Sequence, residues 1–130
     1  MKHDATTSPL AGLTILVVED EFLIAHEIAS ALLENGVEVV GPVGSVEAAL
    51  ELIEGGPALD AAVLDVDLMG NKVFPVADSL ADRRTPFLFS TGYDADVIPE
   101  RHQRAIRITK PATAEQIIGA LIAAMHKRSA

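Results

Sequence analysis

Five short apolar runs alternate with amphipathic stretches along this chain of 130 residues, and no other feature restricts its fold so strongly. The runs are Thr14–Val18, Val37–Val43, Ala61–Val66, Pro86–Thr91 and Ala105–Thr109. The first is nearly continuous in apolar character, as expected of a parallel strand covered on both faces. Between the runs lie helical patterns. Over Glu21–Asn35, Ile24, Ile28 and Leu32 recur every fourth position with Ala25, Ala29 and Leu33 beside them, and Gly36 is a natural helix-ending residue. Ser45 can cap a helix to Glu54 that Gly55-Gly56-Pro57 ends, and Pro75–Arg83 reads as a short helix. The stretch Asp94–Arg104 is polar and holds Pro99 in its middle, so only a weak helix is expected there. The last helix, Thr113–Lys127, opens with a Thr113/Gln116 capping box and carries the stripe Ile117, Ile118, Leu121, Ile122 and Met125.

Strands alternating with helices imply right-handed crossovers and an α/β fold: a doubly wound five-stranded parallel sheet with helices on both faces. The expected strand order is 2-1-3-4-5, flavodoxin-like, with a short or irregular fourth helix. Ligands of such sheets bind at the carboxyl ends of the strands, near the switch point between the first and third. The chemistry-bearing residues gather at that edge. Glu19-Asp20-Glu21 comes after the first run, Asp65 ends the apolar part of the third, Thr91-Gly92 closes the fourth and Lys110-Pro111 the fifth.

Composition narrows the function. The 49% hydrophobic content supports one packed core and not two, so residues 1–11 are expected to be a flexible leader and 12–128 the domain. With 19 acids against 10 Lys and Arg, the net charge of -9 repels a phosphate backbone, which argues against a nucleic-acid partner. Absence of cysteine removes disulfides, thiolate metal sites and thiol nucleophiles. No apolar run approaches the roughly 18 residues of a membrane span, and no signal-peptide core stands at the N-terminus, so a cytoplasmic protein is expected.

Glu19, Asp20 and Asp65 brought together repel one another unless a cation binds, and a hard divalent ion with oxygen ligands, Mg²⁺ above all, suits them. Its charge and that of Lys110 would balance the three carboxylates before a phosphate arrives. Asp65 could then attack phosphorus as a carboxylate nucleophile and form an acyl phosphate, with Lys110, the Thr91 hydroxyl and the Gly92 amide serving its oxygens. Singly, each residue has an ordinary explanation. Acids favour helix N-termini, and Thr, Gly and Lys commonly end strands. The four histidines, His3, His26, His102 and His126, show no ligand spacing and are expected to be solvated, with His26 a minor candidate for partner contact.

From about Leu13 to Met125 these residues resemble the receiver domain of two-component response regulators. Val17-Val-Glu-Asp-Glu21 is similar to the acidic metal site, Val63-Leu-Asp-Val-Asp67 to the phosphoacceptor strand, Ser90-Thr-Gly92 to the hydroxyl switch and Thr109-Lys-Pro111 to the lysine motif. The resemblance implies that Asp65 takes phosphate from a histidine kinase. It also implies that Asp20 and Asp65 bind Mg²⁺ directly, that Glu19 acts through water and that the Asp67 backbone carbonyl completes the ligands. Two departures stand out. Arg107 occupies the place of the usual aromatic switch residue, and Pro86-Phe-Leu-Phe-Ser-Thr-Gly-Tyr93 resembles the FATGUY single-domain regulators, as does Met69–Val76. That subgroup implies HWE-type kinases as partners, passage to another phosphorelay protein or service as a phosphate sink, and Thr91, Tyr93 and Arg107 as switch candidates. Tyr93 and Asp67 are placed to govern water entry. The chain would then be a self-modifying signalling domain and not an enzyme acting on a separate substrate. The rivals are an Asp-x-Asp metal-dependent phosphatase built on Asp65 and Asp67, a Toprim-like enzyme that joins Glu19 to them, and a receiver that only binds.

Overall fold

The computed structural model describes residues 8–92 and 97–129. Its central sheet is built from β1 (Thr14–Val18), β2 (Glu38–Val43), β3 (Ala61–Asp65), β6 (Phe87–Thr91) and β7 (Ile106–Thr109), in the order β2-β1-β3-β6-β7. Every pairing is parallel. This is the expected five-strand order; the higher labels count a small antiparallel hairpin, β4 (Asp67–Leu68) and β5 (Asn71–Lys72), which the pattern of apolar runs does not announce. Met69 and Gly70 turn it, both at positive φ.

Helices α1 (Phe22–Glu34) and α4 (Ala114–Ser129) cover one face, and α2 (Val46–Gly55) and α3 (Phe74–Asp82) the other. The strands divide their side chains between two cores by simple alternation. Ile15, Val17, Ala61, Val63 and Leu88 pack with Ile28, Leu32, Ile117 and Leu121. Leu16, Val18, Ala62, Leu64 and Phe89 pack with Ala49, Ile53, Val76 and Leu80. Burial on both sides is why these runs are apolar throughout. The caps read from the sequence form: Ser45 Oγ accepts from the Ala48 amide, Thr113 Oγ1 from Gln116, and the Gln116 side chain in return from Thr113. Among the described residues, no helix is long and apolar enough to cross a membrane.

Three expectations need correction. The leader cannot extend to residue 11, because Leu10 is 1% exposed and sits in the core among Ile15, Leu32 and Val37, while the Gly12 amide bonds to the Gly36 carbonyl. A single leucine in a polar stretch carries no periodicity, so no local pattern marks it as core. His102 is not solvated: it is buried against Phe74, Phe87 and Phe89. Finally, between residues 97 and 104 there is no α-helix but a 3₁₀ turn, Glu100–His102, just after Pro99, which cannot supply the amide a helix would need. The remainder of the expected weak helix, together with Tyr93, lies outside the described residues.

Leu10→Ala should lower unfolding stability by about 2–4 kcal/mol, the usual cost of emptying a buried leucine site. Urea denaturation reads this directly; a change below about 0.5 kcal/mol would return residue 10 to the leader.

Candidate functional site

Strand ends bring the site together. Glu19 leaves β1 with its amide bonded to the Val43 carbonyl, which turns its side chain inward, where it is 3% exposed. Asp65, the last residue of β3, is 5% exposed and lies in register with Ser90. Thr91 ends β6 beside Thr109 of β7, and its carbonyl accepts the Lys110 amide at 2.8 Å, which fixes where the lysine leaves the sheet. Two glycines let the loops close in. A Cβ on Gly41, whose φ is +94°, would stand 2.8 Å from the Val17 carbonyl oxygen, and one on Gly44 would stand 3.1 Å from the Asp20 Cα. These close approaches arise from tertiary packing that no local sequence signal announces.

Glu19, Asp20 and Asp65 each offer an oxygen within 4.8 Å of the others. The Lys110 ammonium stands 3.1 Å from Glu19 Oε1 and 3.2 Å from Asp65 Oδ1. Asp65 Oδ1 also accepts the Asp67 amide at 3.3 Å. Asp20 is less buried and accepts the Met69 amide at 2.9 Å, which moors the β4–β5 turn to the site. The Asp67 side chain faces outward to Lys72.

The electrostatics are those of a cation-seeking pocket. Burial first, then the hydrogen bond and charge of Glu19, push the Asp65 carboxyl up to about 8, against the pull of Lys110. Burial works to lower the Lys110 ammonium, but the Asp65 charge and then Glu19 outweigh it and hold it above its usual value. One lysine does not satisfy three acids. Glu19 Oε1 is buried and feels the ammonium as a charge, yet it accepts no hydrogen bond, and a hard cation would engage it. The donor set, all oxygen and all acidic, therefore fits Mg²⁺.

Of the other residues singled out from the sequence, Thr91 is buried at the rim and Gly92 is exposed with room around it. Arg107 is removed from the acids; it pairs with Phe89 across the sheet and donates to the Gln103 carbonyl. Tyr93 falls outside the described residues.

No family model matches the chain. Among solved structures, it is similar to SdrG from Sphingomonas melonis Fr1, with 38% identity and a TM-score of 0.76 over 88% of this chain and 96% of that one. A BeF3-activated conformation of SdrG gives 40% identity and a TM-score of 0.73, over 88% and 98% of the two chains. A response regulator receiver protein from Sinorhizobium medicae WSM419 gives 27% identity and a TM-score of 0.74, over 89% and 96%. Among curated proteins, the transcriptional regulatory protein PdtaR of Mycobacterium tuberculosis is 29% identical over 117 residues, 87% of this chain; the chain spans 57% of PdtaR's length.

A carboxyl that binds its proton more tightly folded than unfolded costs stability as pH rises between the two values, here from 3.8 towards about 8. Metal-free protein should therefore lose stability across that window, and Asp65→Asn should recover about 1–2 kcal/mol of it at pH 8. Mg²⁺ must displace the same proton, so its affinity should strengthen by about tenfold per pH unit at most between pH 6 and 8. Thermal melts and Mg²⁺ titrations at those two pH values check both; a pH-independent Mg²⁺ affinity contradicts the assignment.

Proposed function

The chain belongs to the response-regulator receiver family, and from that membership we propose that Asp65 accepts a phosphoryl group from a histidine kinase and passes or holds it through protein contacts. The observation that carries this reading is the Lys110 ammonium, 3.2 Å from the Asp65 carboxylate inside a cluster of two further acids. Asp65 is the only one of the three that ends a fully buried strand, so its position is the most rigidly set. An Asp65 oxygen would form the bond to phosphorus as the bond to the kinase imidazole breaks, leaving an acyl phosphate and a neutral histidine. The Asp20 and Asp65 side chains and the Asp67 carbonyl, with Glu19 behind them, would hold Mg²⁺, which when bound would supply positive charge for the phosphoryl oxygens. Lys110, 3.2 Å from Asp65, is close enough to pair with the same oxygens once they arrive. The Thr91 hydroxyl and Gly92 amide, at the end of β6, would donate hydrogen bonds to the same oxygens.

The Ser90-Thr-Gly-Tyr93 sequence, Arg107 in β7 and the 3₁₀ turn in place of a helix support membership of the FATGUY subgroup, and with it an HWE-type kinase as partner. Arg107 lies on the register line of Phe89 and reaches the Gln103 carbonyl, so it belongs to the segment that would respond to Thr91. A groove of about 850 Å³ between α1 and the start of α4 opens beside Lys110 and is floored by Ile24, Ile28, Ile108 and Ile117. Exposed Phe22 and Leu23 stand at the start of α1. These apolar features near Lys110 support the reading that a partner protein docks on the α1 side. The Asp-x-Asp phosphatase reading is disfavoured because Asp65 ends β3 while Asp67 opens the separate β4–β5 hairpin, where its carboxylate faces Lys72.

Asp65→Asn should abolish Mg²⁺-dependent label uptake from a phosphorylated HWE-type kinase. Lys110→Met should slow uptake by about 100-fold, the scale of losing one charge-stabilising group. Labelling of Asp65→Asn at the wild-type level refutes the assignment. Steady turnover of a phosphate ester would favour the enzyme reading instead.

A further inference from the structure

The segment from 97 to 104 lies beyond the Thr91 end of β6 and is pinned at several points, of which one is chemically out of place. Ile98 is 2% exposed in the same core as Phe89. The Gln103 side chain bonds to the Ile98 carbonyl, Arg107 to the Gln103 carbonyl and Lys127 to the Arg104 carbonyl. Between these anchors, the His102 ring enters a box of three phenylalanines: Phe74 at the head of α3, and Phe87 and Phe89 on β6, with centroids 5.7–6.3 Å away. Its Nε2 lies 2.7 Å from Asp78 Oδ1 on α3, and Arg101 closes a two-pronged contact on the same carboxylate at 2.8 and 3.0 Å. Arg101 chiefly, opposed by burial and helped by His102, holds the Asp78 carboxyl below its usual range.

Packing alone does not call for an imidazole in that box. Leucine or phenylalanine would fill it without desolvating a polar ring. Histidine adds a single directional bond to Asp78, whose side chain is 43% exposed, at the place where the segment crosses α3. The net worth of such a bond is small, so exchanging it for bonds to water costs little. His102 also reaches the strand that carries Thr91. Phe89 stands two residues before Thr91 on β6, so both side chains project to the same face, and the ring of Phe89 lies against His102.

We infer that the His102–Asp78 contact is a latch that keeps residues 97–104 seated on α3 and so sets how readily the segment is released when Asp65 is phosphorylated. His102 is a positioning residue: it touches neither the acids nor the phosphoryl group. It acts through Phe89 and through the seat of the segment beyond Thr91. The inference rests on the phosphoacceptor reading for its trigger, but the latch itself is a property of the resting protein.

The test uses the full chain with amide exchange read residue by residue, with and without Mg²⁺ and beryllofluoride. His102→Phe keeps the ring packing and deletes the bond; Asp78→Asn keeps an acceptor and deletes the charge. In either variant, exchange of residues 97–104 in the resting protein should rise about 10-fold while β1 and β3 stay unchanged. The further rise on adding beryllofluoride should shrink to less than about 3-fold, because the latch is already open. Label uptake at Asp65 from acetyl phosphate should match wild type. Unchanged exchange in 97–104, a rise shared equally by β1 and β3, or an undiminished beryllofluoride response each overturns the latch. Should His102→Phe not fold, Asp78→Asn decides by the same readings. If wild-type Asp65 takes no label, the phosphoacceptor reading fails, and the resting-state comparison still judges the latch.

Discussion

One lysine ammonium held among buried acids organises the working end of this molecule. Lys110 lies within 3.2 Å of both Glu19 and Asp65, and those acids come from strands adjacent in space but more than forty residues apart in sequence. Like charges so close, out of water, repel; the lysine offsets part of that cost, and burial with Glu19 still pushes the Asp65 carboxyl up to about 8. The lysine's position in turn depends on the backbone bond from its amide to Thr91. The pairing is incomplete. A lysine that satisfied every carboxylate oxygen would leave nothing for a metal, whereas here Glu19 Oε1 still lacks a hydrogen bond.

Much of this was legible in the sequence because the parallel sheet makes strand ends predictable. Continuous apolar runs locate the strands, and the switch-point rule places the loops after β1, β3, β6 and β7 at one edge. Glu19, Asp20, Asp65, Thr91 and Lys110 could be gathered there without coordinates for that reason. The capping residues Ser45 and Thr113 were equally visible, since a cap is a contact over three residues. The features that stayed hidden depend on packing between distant segments. Leu10 shows its burial only when it meets Leu32 and Val37, and His102 only when α3 and β6 present their phenylalanines. The β4–β5 hairpin, two residues a side, is too short to carry a periodic signal, yet it brings the Met69 amide to Asp20.

The two faces of the sheet serve different ends. On the α1–α4 side, the core is aliphatic and opens into a groove beside Lys110. On the α2–α3 side, the aromatic rings concentrate around the segment beyond Thr91. The groove and the aromatic cluster thus lie on opposite faces of one sheet. Thr91 is the residue that belongs to both, since its carbonyl fixes Lys110 while Phe89, on its own strand, belongs to the aromatic cluster.

The register of β2 against β1 slips between Leu16 and Val18, where Gly41 and Pro42 stand exposed on an outermost strand that begins with Glu38. An outer strand that is straight and uncharged is a template on which a second copy can lengthen the sheet. Here the kink interrupts the regular spacing of backbone groups, and the leading carboxylate repels its own image on another molecule. That margin of the sheet is therefore a poor template for lengthening by a second copy.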